Sequence, residues 1–173
     1  MTTPSIKPLL TAEQIQTRVA ELGRLISLDH AGKELLAISA MKGAFMFFSD
    51  LIRFLDIPVK VDFVGASSYS GTETTGAVKI YQNLTEQVTG KHVLLVDDII
   101  DTGVTLDRLR SELLSRQPAC LKICTLLDKP SRRRVPVPVD YVGFEVPDLF
   151  IVGYGIDYNG MFRQLPYVAV LVD

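Results

Sequence analysis

The sequence predicts an α/β domain with a mostly parallel, twisted sheet flanked by helices. Three observations carry this. Strand-like and helix-like segments alternate through residues 35–127, the pattern of a sheet covered on both faces. Two of the strand-like runs, residues 35–40 and 93–96, are apolar without alternation, as in strands buried on both sides. The second run leads directly into acids, then Thr102, Gly103 and Thr105, and then a helix. That strand-to-helix junction is where open α/β sheets bind ligands.

The elements follow in order. Residues 1–10 hold Pro4, Pro8 and one lysine, and lack the charged, apolar and small-residue regions of a signal peptide. Thr11 and Gln14 have capping-box spacing, and Ile15, Val19, Leu22 and Ile26 recur at helical spacing behind them. After the strand at 35–40, Gly43 opens a second helix with Phe45, Phe48, Ile52 and Leu55 on one face. Asp56, Ile57 and Pro58 end it, since proline cannot continue the hydrogen-bond ladder. Residues 59–64 read as a half-buried strand with Lys60 and Asp62 on the polar side. Residues 65–77, GASSYSGTETTGA, are too small and polar to bury much, which marks a lid, a binding loop or disorder. A short strand follows at 77–81. Residues 91–97 form a strand ending in acid, 105–115 a helix with Leu106, Leu109 and Leu113 inward, and 119–127 a further strand. Residues 129–138 are a proline- and arginine-rich loop, and 140–144, 151–154 and 167–172 are short strands.

Composition excludes several classes of function. With 173 residues, 47% hydrophobic and 22% charged, the chain is an ordinary globular domain without repeats or an internal linker. Its net charge of -2 speaks against nucleic-acid binding by bulk charge, and Arg132, Arg133 and Arg134 read as a solvated run. No apolar run is long enough to span a bilayer. Cys120 and Cys124 lack the further soft ligands a metal site needs, and are read as buried, reduced thiols in a cytoplasmic protein.

The chemistry is concentrated in VLLVDDIIDTGVTL, residues 93–106. Free N–H groups and the dipole at the helix start attract a phosphate; Thr102 and Thr105 add hydroxyl donors, and Gly103 lets the backbone approach closely. Asp97, Asp98 and Asp101 would repel that phosphate unless hydroxyls or a metal intervene. A ribose diol satisfies the acids while its phosphate satisfies the loop. Asp-Thr-Gly alone would equally suit a solvated acidic turn; the full order of apolar strand, two acids, apolar pair and Asp-Thr-Gly-x-Thr is specific.

This segment resembles the phosphoribosyl diphosphate motif of the type I phosphoribosyltransferases. Met41-Lys42-Gly43 resembles their pyrophosphate loop, Ser68-Tyr69 their flexible catalytic loop, and VGFEVPDLFIVGYGIDYNGMFR, residues 142–163, the purine hood of the hypoxanthine-guanine branch. The resemblance implies one domain, with a core over about residues 11–127 and a small hood built from about 128–173 plus N-terminal residues. It implies purine salvage: transfer of the phosphoribosyl group to hypoxanthine or guanine, with xanthine possible, giving IMP or GMP and pyrophosphate, with Mg²⁺. It further implies a homodimer or homotetramer, with no nucleic-acid or membrane partner.

Carried over by position, Asp97 and Asp98 meet the ribose hydroxyls, directly or through metal-bound water. Asp101 manages the purine N7 proton, and Asp101, Thr102, Gly103, Val104 and Thr105 hold the 5′-phosphate. Met41, Lys42 and Gly43 take the pyrophosphate with help from Arg163, across a cis peptide bond between Met41 and Lys42. Phe150 stacks on the purine, Ile151 offers backbone contacts and Lys129 reaches the 6-oxo group. Asp157 ligates Mg²⁺, and Ser68 and Tyr69 close over the site. The alternative is a regulator of the same fold that senses nucleotides without catalysis.

Overall fold

Helix α1 (Ala12–Asp29) starts on the reciprocal cap that Thr11 and Gln14 provide: the Thr11 hydroxyl accepts from the Gln14 N–H at 3.2 Å, and the Gln14 side chain accepts from the Thr11 N–H at 2.8 Å. The computed structural model describes residues 4–68, 78–82 and 84–172. Around α1 stand β1 (Ser5–Leu10), β2 (Leu35–Met41), α2 (Phe45–Arg53), β3 (Val59–Ser68), β4 (Val78–Gln82), β5 (His92–Ile100), α3 (Val104–Ser115), β6 (Cys120–Asp128), β7 (Tyr141–Glu145), β8 (Ile151–Val152) and β9 (Val168–Val172).

The large sheet has the order β4-β3-β2-β5-β6-β7. Five of its strands run parallel and β4 pairs antiparallel to β3. On one face, α1 and α2 cover Leu35, Ala37, Leu94, Val96, Cys124 and Leu126. On the other, α3 covers Leu36, Ile38, Val93, Leu95 and Ile123 with Leu106, Leu109 and Leu113. Each of these α3 leucines contributes roughly 1.5–3 kcal/mol by burial. The small antiparallel sheet has the order β1-β9-β8. Tyr154, which follows β8, donates its hydroxyl to Asp50 of α2 at 2.6 Å. Arg18 of α1 donates to the carbonyls of Val142 and Gly143 in β7, each at 2.9 Å.

Several expectations are corrected. Helix α2 begins at Phe45, because residues 42–44 are spent in the preceding turn, where the Phe45 N–H donates to the Lys42 carbonyl, and it ends at Arg53, where the Phe54 and Leu55 N–H groups turn back to the Leu51 and Ile52 carbonyls. Its inward stripe is therefore Phe47, Phe48 and Leu51, and Phe45 is exposed. In β3 the facing is reversed: Asp62 is buried while Val61 and Phe63 are exposed. Asp62 is satisfied there by the N–H groups of Phe63, Thr85 and Glu86 at 2.7–2.8 Å. Residues 65–68, expected in the polar loop, continue β3, with Ser68 paired to Val78. Cys124 is buried, and burial pushes its thiol up, but Cys120 is only half-buried; both are free. Residues 5–10, for which the sequence pattern predicts no element, form strand β1. It pairs with β9 and carries Pro8 at an irregularity in the register, consistent with its place at a sheet edge.

Candidate active site

The C-terminal ends of β2, β5 and β6 converge, and the turn after each brings one part of the site. After β2, the Met41–Lys42 peptide is cis, as the resemblance implies. Gly43 then lies against β5 so closely that a Cβ there would overlap the Asp98 carboxylate. Lys42 is exposed and Met41 half-buried beside it.

After the apolar run of β5, Asp97 and Asp98 sit side by side at the end of the central strand, the Asp98 N–H donating to Asp97 Oδ1 at 3.0 Å. Burial pushes the Asp97 carboxyl well above the usual carboxylate range, and the adjacent Asp98 adds to this. Burial also raises Asp98, offset in part by hydrogen bonds and by the charge of Arg163. Two acids held so uncomfortably are suited to hydroxyl donors or a cation. The strand runs on to Ile100, further than expected, before the turn Asp101–Thr102–Gly103. Gly103 has φ 85°, and a Cβ there would overlap the Val135 carbonyl, so only glycine fits without strain. Val104 and Thr105 open α3. A pocket of about 80 Å³ beside this turn is lined by Asp97, Asp101, Thr102, Gly103 and Thr105. It suits one phosphate at a helix N-terminus.

After β6, Lys129 is only 7% exposed, and its Nζ donates to the Leu149 carbonyl at 2.6 Å. Lys129, Phe150, Ile151, Asp101 and Asp157, drawn from four separate segments, line one cleft of about 320 Å³. Phe150 is 56% exposed, an aromatic face left open to that cleft, with Tyr158 edge-on to it at 5.4 Å. Ile151 is buried in β8. Arg163 ties the hood loop together: Nη1 donates to the Gly155 carbonyl at 2.6 Å and Nη2 pairs with Asp157 Oδ1 at 2.7 Å. A Cβ on Gly155 would in turn overlap the Gly43 carbonyl, so this loop packs directly on the turn after β2. Asp157 Oδ2 accepts from the Gly160 N–H at 2.7 Å.

Of the site residues expected from the sequence, Ser68 closes β3, and Tyr69 lies outside the described residues. The expectation of a solvated run at Arg132–Arg134 holds for the exposed Arg132 and Arg134, whereas Arg133 is half-buried, and the run also makes specific contacts. Arg132 Nε donates to Asp101 Oδ1 at 3.1 Å, Arg133 Nε to the Asp101 carbonyl at 3.2 Å, and Arg133 also pairs with Asp128. The N–H groups of Arg134 and Val135 donate to the Thr102 carbonyl at 2.9 and 3.0 Å. These residues brace the turn after β5. Apart from Asp128, their targets lie some thirty residues earlier in the chain, beyond the reach of a local pattern.

Among the described residues, no three or more His, Cys, Asp or Glu side chains are gathered as a metal cage. Among the described residues, no helix is long and apolar enough to cross a membrane.

Comparison with known proteins agrees with this geometry. Residues 5–159 match the family model described as phosphoribosyl transferase domain. The hypoxanthine phosphoribosyltransferase of Salmonella typhimurium is 50% identical over 171 residues, 97% of this chain and 96% of that one. The hypoxanthine-guanine phosphoribosyltransferase of Staphylococcus aureus is 45% identical over 164 residues, 94% and 92% of the two chains. Among solved structures, a hypoxanthine-guanine phosphoribosyltransferase from Bacillus anthracis with HEPES in the active site has a TM-score of 0.93 at 46% identity, covering 98% of this chain and 100% of that one. The Trypanosoma cruzi hypoxanthine phosphoribosyltransferase in complex with its product IMP has a TM-score of 0.90 at 40% identity, covering 96% and 94%. The sheet order, the acidic turn after β5 and these likenesses agree: the chain belongs to the phosphoribosyl transferase family, in its hypoxanthine-guanine branch.

Proposed function

We propose that this chain transfers the 5-phosphoribosyl group of phosphoribosyl diphosphate to hypoxanthine or guanine in purine salvage, giving IMP or GMP and pyrophosphate. The observation that carries this reading is the joining of two pockets at Asp101. One is a cleft with an aromatic side chain and a buried ammonium on its lining, the other a small pocket at a helix N-terminus. A purine fits the first and a 5′-phosphate the second, which sets the anomeric carbon beside Asp97 and Asp98.

In the reaction the purine nitrogen forms a bond to the anomeric carbon as the bond to the pyrophosphate oxygen breaks. Thr102, Gly103, Val104 and Thr105 hold the 5′-phosphate through backbone N–H groups and hydroxyls. Asp97 and Asp98 accept from the ribose hydroxyls. Phe150 stacks on the base, the Ile151 backbone meets its edge, and Lys129 donates to the 6-oxo oxygen. Asp101 takes the N7 proton that the base must lose. Lys42, the N–H groups around Met41 and Gly43, and Arg163 receive the negative charge of the leaving pyrophosphate. Ser68 and Tyr69 are assigned to cover the ribose by resemblance alone.

Mg²⁺ fits the donor set: Asp97, Asp98 and Asp157 offer only oxygens, too few for a protein-only cage, which is how Mg²⁺ binds when substrate phosphates complete its shell. When bound it would neutralise charge on the diphosphate. The hood expected over about residues 128–173 plus N-terminal residues narrows to the small sheet and the segment around Arg163, because β7 within that range joins the large sheet that forms the core. Assembly into a homodimer or homotetramer is supported by apolar side chains left exposed on α2 and β3, namely Phe45, Val61 and Phe63. Net charge and free cysteines support a cytoplasmic enzyme without nucleic-acid partners.

The test is conversion of hypoxanthine, guanine, xanthine and adenine with phosphoribosyl diphosphate and Mg²⁺, followed by ultraviolet absorbance. Turnover of the first two supports the proposal. Binding of phosphoribosyl diphosphate without turnover of any base would favour a nucleotide-sensing regulator.

A further inference from the structure

The guanidinium of Arg132 joins two acids that line the base cleft. Its Nε donates to Asp101 Oδ1 at 3.1 Å, and its Nη1 lies 3.7 Å from Asp148 Oδ2. Asp101 belongs to the turn after β5, Asp148 to the segment before β8, and all three residues line the same cleft. Arg132 itself sits on a single 3₁₀ turn directly after Lys129, where its N–H donates to the Lys129 carbonyl at 3.1 Å. We infer that Arg132 is a positioning residue for the Asp101 carboxylate, with Asp148 as its anchor, an inference that rests on the proposed role of Asp101 in handling the N7 proton.

Stability gives Arg132 little reason to be there. Its side chain is 45% exposed and those of its partners 38% and 51%, and surface ion pairs of this kind contribute about 0–1 kcal/mol. Orientation gives a better one. Asp101 stands at the end of a strand in a short turn, and its backbone is held separately, by Arg133 donating to its carbonyl. The carboxylate's rotation is what remains to be set. Arg132 engages Oδ1 and leaves Oδ2 for the purine. When Asp101 accepts the proton its charge is lost, and the pair with Asp148 keeps the guanidinium in place until the proton leaves. A planar fork can hold two carboxylates at once; an ammonium is a point donor and holds them less well. The same 3₁₀ turn thereby links the residue that reads the 6-oxo group to the one that moves the N7 proton.

The test compares R132M, which keeps the stem and removes the donors, with R132K, D148N, D101N and the double variant R132M/D101N, using hypoxanthine and phosphoribosyl diphosphate at steady state. Loss of orientation at a reacting group predicts a fall in kcat of about tenfold for R132M, with KM for phosphoribosyl diphosphate changed by less than about twofold. R132K should recover part of the loss, and D148N should show a smaller loss than R132M. In the D101N background R132M should have no further effect, because nothing is left to orient. A kcat for R132M within about twofold of the parent enzyme would overturn the inference, as would the same tenfold loss in the D101N background. Parallel losses in kcat, KM and melting temperature would also overturn it, by marking Arg132 as structural. If D101N alone turns over like the parent, the proposed role of Asp101 fails and the inference falls with it, an outcome distinct from the others.

Discussion

Replacing Lys129 by glutamine tests how the cleft chooses its base. Lys129 is buried with its stem in the wall and one ammonium proton committed to the Leu149 carbonyl at 2.6 Å. An ammonium has three donors and no acceptor, so two remain for the cleft it lines. A 6-oxopurine presents a carbonyl to them; adenine presents an amino group, a second donor. One charge-assisted hydrogen bond contributes about 1.5–3 kcal/mol, and leaving the buried charge facing a donor costs at least as much. Each 1.4 kcal/mol is a factor of ten, so this contact alone gives discrimination on the order of 10²-fold. Glutamine can turn either a donor or an acceptor toward the base. In an ultraviolet assay of kcat/KM, Lys129→Gln should lower hypoxanthine and guanine use by on the order of 10²-fold and narrow the gap to adenine. The Leu149 carbonyl would lose its charged donor, so a stability cost of about 1 kcal/mol should accompany the change. Parent-enzyme turnover of adenine equal to that of hypoxanthine would refute the reasoning, as would a variant with an unchanged base profile.

Asp101→Asn should cut kcat by about 10²–10⁴-fold with phosphoribosyl diphosphate affinity changed far less, whereas Asp97→Asn should weaken sugar binding instead; initial-rate kinetics separate the two. The Asp97 and Asp98 carboxyls are raised above their ordinary 3.8 in the folded protein, so the fold holds protons that the unfolded chain has released. Ligand-free stability therefore falls as pH rises from that value through the raised folded values. Melting curves should accordingly show Asp97→Asn more stable than the parent at neutral pH, with the gain vanishing toward about pH 4. Gly103→Ala must adopt a positive φ and push on the Val135 carbonyl; backbone strain of about 1–2 kcal/mol should appear as a lower melting temperature together with a raised KM for phosphoribosyl diphosphate. Asp157→Ala should raise the Mg²⁺ concentration needed for half-maximal rate, read from a Mg²⁺ titration; an unchanged titration would remove Asp157 from the metal shell.

What the sequence made legible was local. The cap of α1 rests on two residues three apart, and the three inward leucines of α3 lie within eight residues, so periodicity and capping chemistry locate both. The acidic turn after β5 is likewise written in one stretch. What it hid depends on distant partners. Asp62 faces inward because the N–H groups of Thr85 and Glu86, more than twenty residues on, come to meet it. Strand β1 exists because β9, at the other end of the chain, supplies its ladder. Arg132 and Arg133 look like solvated charge until the fold returns them to Asp101. The hood residues Phe150, Asp157 and Arg163 were found through the resemblance, since nothing in their local pattern separates a stacking platform from a core aromatic.

The central claim is that the cleft lined by Lys129 and Phe150 delivers a 6-oxopurine to a phosphoribosyl group held at the start of α3. The most direct measurement is single-turnover conversion of hypoxanthine by enzyme loaded with phosphoribosyl diphosphate and Mg²⁺, with product and pyrophosphate quantified together. IMP and pyrophosphate appearing in equal amounts, and neither appearing when phosphoribosyl diphosphate is omitted or adenine replaces hypoxanthine, is the predicted result. Tight binding of phosphoribosyl diphosphate with no IMP formed from hypoxanthine would contradict it.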